Sequence, residues 1–240
     1  MSRDDPVSVP PDRPVRRITI RATTVGSVLA AIIGFLLTAH LVLYFGRLEL
    51  GMGQVYGLKP RFDLGGEGNI PAFYSAAALL LAGVLLLFIA RLRFGDGDRH
   101  RWGWLGLGLG FLFMALDEAT QIHELLYRVP GFDSGAWLWT VPFGVLLLII
   151  GAVFLRFLLD LDPKYRRLFL LSAALFLGGA IGMELISDVA IGGTNQRANW
   201  PAALLTSVEE GLEMSGVALF IVSLLRYIGD CVGEVNVGFE

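Results

Sequence analysis

Acidic side chains sit inside apolar segments long enough to cross a bilayer, and that combination restricts the chain to few folds. Asp117, Glu118 and Glu124, with His123, occupy one such segment; Glu184 and Asp188 mark a second; Glu209, Glu210 and Glu213 mark a third. A charge at bilayer depth costs roughly 2.5–3.5 kcal/mol by insertion scales, so such residues face a bundle interior or water and point to function. These eight carboxylates cannot all stay ionised and unpaired in one 240-residue chain. They require metal ions, shared protons or water.

The sequence is 55% hydrophobic and 17% charged, with a mean hydropathy of +0.64. Its apolar runs reach the ~20 residues needed to cross ~30 Å of hydrocarbon. They predict an all-α, polytopic six-helix transmembrane bundle, with spans at about 23–45, 71–92, 103–127, 138–159, 168–190 and 201–226. Residues 1–22, with four prolines among charges, read as a disordered basic cytoplasmic arm, 23–228 as the six-helix domain and 229–240 as a short cytoplasmic tail. The first apolar run is too long for a cleaved signal and lacks a small-x-small site, so it is expected to be retained. Cys231 is the only cysteine, which excludes a disulfide framework or a thiolate metal site. The net charge of −3 implies no nucleic-acid partner.

The arginines set an orientation. Arg3, Arg13, Arg16, Arg17 and Arg21 precede the first span; Arg91, Arg93, Arg99 and Arg101 follow the second. Lys164, Arg166 and Arg167 follow the fourth, and Arg226 closes the sixth. The alternate loops carry only Arg47, Lys59, Arg61, Arg128 and Arg197. The positive-inside rule therefore places both termini in the cytoplasm of a bacterial inner (plasma) membrane. The Gly-rich segment 46–70, with Tyr56, Asp63, Glu67 and Asn69, is expected to lie outside as a cap over the outer mouth.

Polar residues repeat one spacing on three helices. Asp117, Thr120, Gln121 and Glu124 fall at i, i+3, i+4 and i+7, as do Thr206, Glu209, Glu210 and Glu213; Glu184, Ser187 and Asp188 give a shorter version. Such residues share a helix face. Three polar stripes at similar depth must face one another or an aqueous cavity, because lipid cannot satisfy them. His40 reaches the same depth in the first span. The candidate metal ligands are thus His40, Asp117, Glu124, Glu184, Asp188, Glu209 and Glu213, with Glu210 as a candidate general base. Glu118, Thr120, Gln121, His123 and Thr206 are expected to support the ligands; Glu118 and His123 project roughly 110° to either side of the stripe, toward neighbouring helices.

Carboxylates mixed with imidazole suit Zn, Mn or Fe. The chain has neither a Glu-x-x-His nor a His-Glu-x-x-His motif, so no di-iron or zinc-protease signature applies. The Asp-Glu-x4-His-Glu segment, Asp117 to Glu124, resembles one in uncharacterised bacterial multipass membrane proteins; the likeness covers that one helix and implies no particular activity. The other halves of the third, fifth and sixth spans (Gly103–Leu116, Leu168–Met183, Val217–Leu225) are almost wholly apolar, which suits a site open to one side only. Three functions fit: a metal-dependent hydrolase or redox enzyme acting on a lipid or small molecule; a cation- or proton-coupled transporter using the same carboxylates; and a non-catalytic ion-binding or sensing module. Beyond the lipid bilayer, the sequence identifies no partner protein.

Overall fold

The computed structural model describes residues 21–122, 136–183, 185–187 and 199–231, with the backbone only over 136–143. Six helices account for most of it: α1 (Ala22–Leu48), α2 (Ile70–Gly95), α3 (Arg101–Thr120), α4 (Ala136–Asp160), α5 (Pro163–Leu177) and α6 (Trp200–Cys231). A π-helical turn, Gly178–Met183, continues α5. The segments Ala22–Leu48, Ile70–Gly95, Pro163–Ser187 and Trp200–Cys231 are long and apolar enough to cross a bilayer. The chain is an all-α membrane protein.

Local chemistry sets where the helices start. The Asn69 side chain accepts from the Ala72 N–H at 3.1 Å, Asp162 from Lys164 at 2.8 Å and Asn199 from Ala202 at 3.0 Å, each ahead of a proline near the first turn. These caps satisfy backbone donors that would otherwise be orphaned, and proline lacks one of those donors.

α3 departs from the expected 103–127 span. It ends at Thr120, with Gln121 left-handed at φ 58 and its N–H bonded to the Asp117 carbonyl. The Thr120 hydroxyl donates back to the Leu116 carbonyl at 2.6 Å, a bond that competes with continued helix. The fifth span also differs from a regular helix, because Gly178, Gly179 and Gly182 accommodate the wider π turn.

Contacts define two ends. At one, Gly26 of α1 meets Val222 of α6, Arg93 of α2 bonds Tyr227 of α6, and Tyr165 of α5 packs on the same tyrosine. We call this the basic end, since Arg91, Arg93, Arg99, Arg101, Lys164, Arg166, Arg167 and Arg226 gather there. At the other, the loop end, Phe45 meets Trp200, whose indole donates to Glu49 at 2.7 Å.

α6 is the central helix, packed on α1, α2, α5 and the π turn. Its approach to α5 needs glycine. A Cβ on Gly216 would lie 2.7 Å from the Phe176 nitrogen and 2.9 Å from the Ser172 oxygen; one on Gly179 would lie 2.6 Å from Glu213 Cγ and 2.7 Å from the Glu209 oxygen. α2 and α3 interlock similarly, Gly83 against Leu112 and Gly108 against Leu87. In lipid, such close backbone approach is a main source of helix association.

Gly216→Ala and Gly179→Ala should each lower stability by about 1–3 kcal/mol, because the obstructing atoms include backbone. Gly34→Ala, where a Cβ meets nothing within 4 Å, should be neutral or gain about 0.5–1 kcal/mol. Thermal unfolding in detergent checks this; equal midpoints for all three variants would contradict the packing.

Candidate functional site

α3 and α6 run antiparallel with one shared register. Trp104 packs on Tyr227 with ring centroids 4.8 Å apart, and Phe111 stacks on Phe220 at 4.9 Å. Both steps are seven residues, a spacing that keeps side chains on one helix face at a shallow crossing angle. Seven residues further toward the loop end, the same rows reach Glu118 on α3 and Glu213 on α6. Both lie about 21 Å from the Trp104–Tyr227 pair at 1.5 Å per residue. Two aromatic rungs are thus followed by a carboxylate rung.

Glu210 joins it. Its carboxylate lies within electrostatic reach of Glu213, Glu118 and Glu209. All four are half-buried, as is Thr206 one turn earlier on α6. The π turn closes the α5 side, because Gly179 abuts Glu213 and the Glu209 backbone. Glu209, Glu210 and Glu213 therefore share a region with Glu118, the acid that had been placed to the side of the α3 stripe. The same offset that turns Glu118 off the stripe turns it toward α6.

The remaining described candidates are Asp117, Thr120, Gln121 and His40. Asp117 is half-buried one turn before the end of α3. Thr120 is exposed, its hydroxyl committed to Leu116. Gln121, beyond the helix, does not continue the stripe; its Nε2 lies 3.5 Å from where a Cβ on Gly68 would be, so it meets the α1–α2 loop. His123, Glu124, Glu184 and Asp188 lie outside the described residues. Ser187 is described, with its Oγ buried.

His40 is fully buried, 1% exposed, and its Nδ1 accepts the Leu64 N–H at 3.0 Å. A neutral imidazole that accepts at Nδ1 carries its proton on Nε2, so neither nitrogen then has a lone pair for a metal. Ligation by His40 would require breaking the Leu64 bond. Around it, Asp63 Oδ1 lies 3.5 Å from Nδ1, Lys59 pairs with Asp63, and the Lys59 ammonium sits 4.8 Å above the Tyr44 ring. Tyr44, four residues on, shares the His40 helix face as the spacing implies, whereas Asp63, Lys59 and Leu64 are not legible as His40 partners, because the link spans 24 positions and runs through a loop backbone.

Among the described residues, no group of three or more His, Cys, Asp or Glu side chains is arranged to hold a metal ion. The basic end is filled instead. Trp104 contacts Phe157, Phe169 and Tyr227, Phe169 contacts Phe220, and Tyr165 donates to Asp230, which also receives Lys164 at 2.6 Å. Arg99 and His100 reach Asp160 at 2.7 and 3.1 Å.

No curated protein and no solved structure matches the chain. Residues 28–228 match the family model of DUF8692, a domain of unknown function. The match extends from within α1 nearly to the end of α6, and the chain belongs to the DUF8692 family.

Proposed function

We propose that this chain is a six-span protein of the bacterial inner membrane, with both termini cytoplasmic, whose carboxylates bind a cation at a site open to the loop end only. The observation that carries the reading is the α3–α6 register: Glu118, Glu210 and Glu213 lie on the loop side of two aromatic rungs. Like charges brought together away from bulk water need a cation or a shared proton. Toward the basic end, among the described residues, the same rows of α3 and α6 carry aromatic rings.

The leading chemistry is metal-dependent hydrolysis or redox on a lipid or small molecule. A divalent Zn, Mn or Fe ion would draw on Glu213 and Glu209, with Glu184, Asp188, Glu124 and Asp117 as the further candidates. Glu210 would act as general base on a metal-activated water. Glu118 belongs with the ligands or beside Glu210, and His40 stands outside the set while Leu64 holds it. α3 and α4 complete the six spans: at 1.5 Å per residue, their 20 and 25 residues reach about 30 and 37 Å.

A carrier is the second reading, favoured by the π turn packed against Glu213. π turns occur often at functional sites, and a small shift there would move the α5–α6 contact. A proton shared among Glu118, Glu210 and Glu213 would then replace the metal.

Three measurements test these statements. A reporter fused after Glu240 should be active only in its cytoplasmic form; activity on the other side would reverse the orientation. Purified protein should retain a divalent metal that Glu213→Ala and Glu184→Ala lose. Metal-free protein whose unfolding midpoint ignores added Mn, Fe or Zn would instead select the shared-proton carrier. With chelator present, Glu210→Gln should raise the midpoint by a few degrees, because it removes one of several like charges. With the bound metal, the gain should shrink or reverse. A lower midpoint with chelator would mean that the Glu210 charge is already balanced inside the fold.

A further inference from the structure

The loop between α1 and α2 lies across the two helices that carry the carboxylates. A Cβ on Gly65 would sit 3.2 Å from Thr206 Cγ2, one turn before Glu209 and Glu210, and Gly68 meets Gln121 just beyond Glu118. The loop therefore bridges α3 and α6 on the loop side of the acids. Its two ends are tied down: Glu49 accepts from the Trp200 indole, and Asn69 caps α2 while donating to the Asp63 carbonyl at 2.7 Å.

Between those anchors the chain is under local strain. Gly51, Gly53, Val55, Tyr56 and Gly57 all have positive φ, including 48 at Val55 and 56 at Tyr56. A β-branched or bulky residue in that region costs on the order of 1–3 kcal/mol and persists only where the surroundings hold it. Tyr56, 91% exposed, has little packing to do so. The segment just after it is held by the packing of Phe62 on Phe35, by the buried Leu64 side chain, by the Asn69 amide on the Asp63 carbonyl, and by one buried polar contact, His40, with Asp63, Lys59 and Tyr44 around it.

We propose that residues 58–68 are a gate over the carboxylate cluster and that His40 is its latch, holding the gate shut through the Leu64 N–H. Asp63 and Lys59 clamp the turn that presents Leu64, and the left-handed run at 51–57 is the spring and hinge that lets the gate lift when the latch is broken. His40 thus acts as a positioning residue in access to the site, without touching what binds there. The gate concerns the site proposed above, so its purpose rests on that reading; its mechanics do not.

The test uses the full chain in detergent with Cys231→Ser and a single reporter, Thr206→Cys, timed with a polar maleimide. The parent should label slowly. His40→Ala should label about tenfold faster, the equilibrium worth of one buried hydrogen bond. His40→Asn, whose Oδ1 can accept from Leu64 in place of Nδ1, should return to the slow rate. Leu64→Pro removes the donor from the loop side together with a buried core side chain and should label as fast as His40→Ala, whereas Leu64→Ala, which shortens that side chain but keeps the N–H, should label more slowly than Leu64→Pro. A second reporter, Ala82→Cys at a position with no exposure, must stay unlabelled throughout; if His40→Ala fails that control, Leu64→Pro decides. Rates for His40→Ala and Leu64→Pro within twofold of the parent overturn the proposal, as does failure of Leu64→Pro to accelerate when it alone is folded. The rates require no bound cation, so a metal-free protein would sink the metal reading and leave the latch standing.

Discussion

Placing several carboxylates in one apolar bundle is the constraint on which the rest of the structure turns. Half-buried Glu118, Glu209, Glu210 and Glu213 must be kept off lipid and supplied with water, a proton or a cation. Solvent cannot be allowed to run on through the bilayer to reach them. The chain meets both demands by geometry along α6. Toward the basic end, the rows that carry Glu118 and Glu213 become Phe111 against Phe220 and then Trp104 against Tyr227. Toward the loop end they meet a backbone loop with glycines at its points of contact.

α6 achieves this by having two unlike faces. Against α5 it is narrow: Gly216 lies on the backbone of Ser172 and Phe176, and Gly179 lies on that of Glu209. Against α3 it is wide, spanned by ring pairs. Helices that touch through glycine leave no room for a ligand. The ring pairs that hold α3 and α6 apart stop where the glutamates begin. The substitution of Glu for an aromatic at the third position of each seven-residue series converts a packing seam into a polar rung.

Apolar segments of membrane length are written plainly in the sequence, and the helices found begin within a few residues of the expected spans apart from α5, which starts at Pro163. The convergence of Glu209, Glu210 and Glu213 with the third helix was legible too, since equal depth follows from counting residues. Which neighbouring helix Glu118 meets was not. Periodicity groups Asp117 with Thr120 and Gln121, but it cannot fix how a helix is rotated about its axis. The signal lay in the partner helix: Trp104, Phe111 and Glu118 repeat at the interval of Tyr227, Phe220 and Glu213, in the reverse chain direction. The end of α3 at Thr120 escaped because it depends on one left-handed residue and one side-chain bond, neither a matter of hydropathy. His40 was legible as a buried polar group in an apolar helix. Its partner was not, because a backbone N–H 24 residues away leaves no trace in composition.

The two ends of the bundle are also unequal in how they are held. At the basic end, Trp104, Phe157, Phe169 and Tyr227 pack ring on ring, two pairings cross between helices, Arg93 to Tyr227 and Lys164 to Asp230, and Arg99 of the α2–α3 turn reaches Asp160 of α4. Opening that end means separating helices and several aromatic contacts at once. At the loop end, the described cover is a short loop with a left-handed run beside it, held by the buried Leu64 side chain, by Phe62 on Phe35 and by one buried histidine. Local opening is drawn from regions with few buried apolar contacts, and the loop, with Leu64 and Phe62, has fewer than the ring cluster. Among the described residues, the contacts that would have to break are therefore fewer at the loop end. That asymmetry follows from which contacts must break, whatever the bound species is. It weighs against any mechanism that needs the basic end to open unless an element able to shift, such as the π turn beside Glu213, supplies the movement.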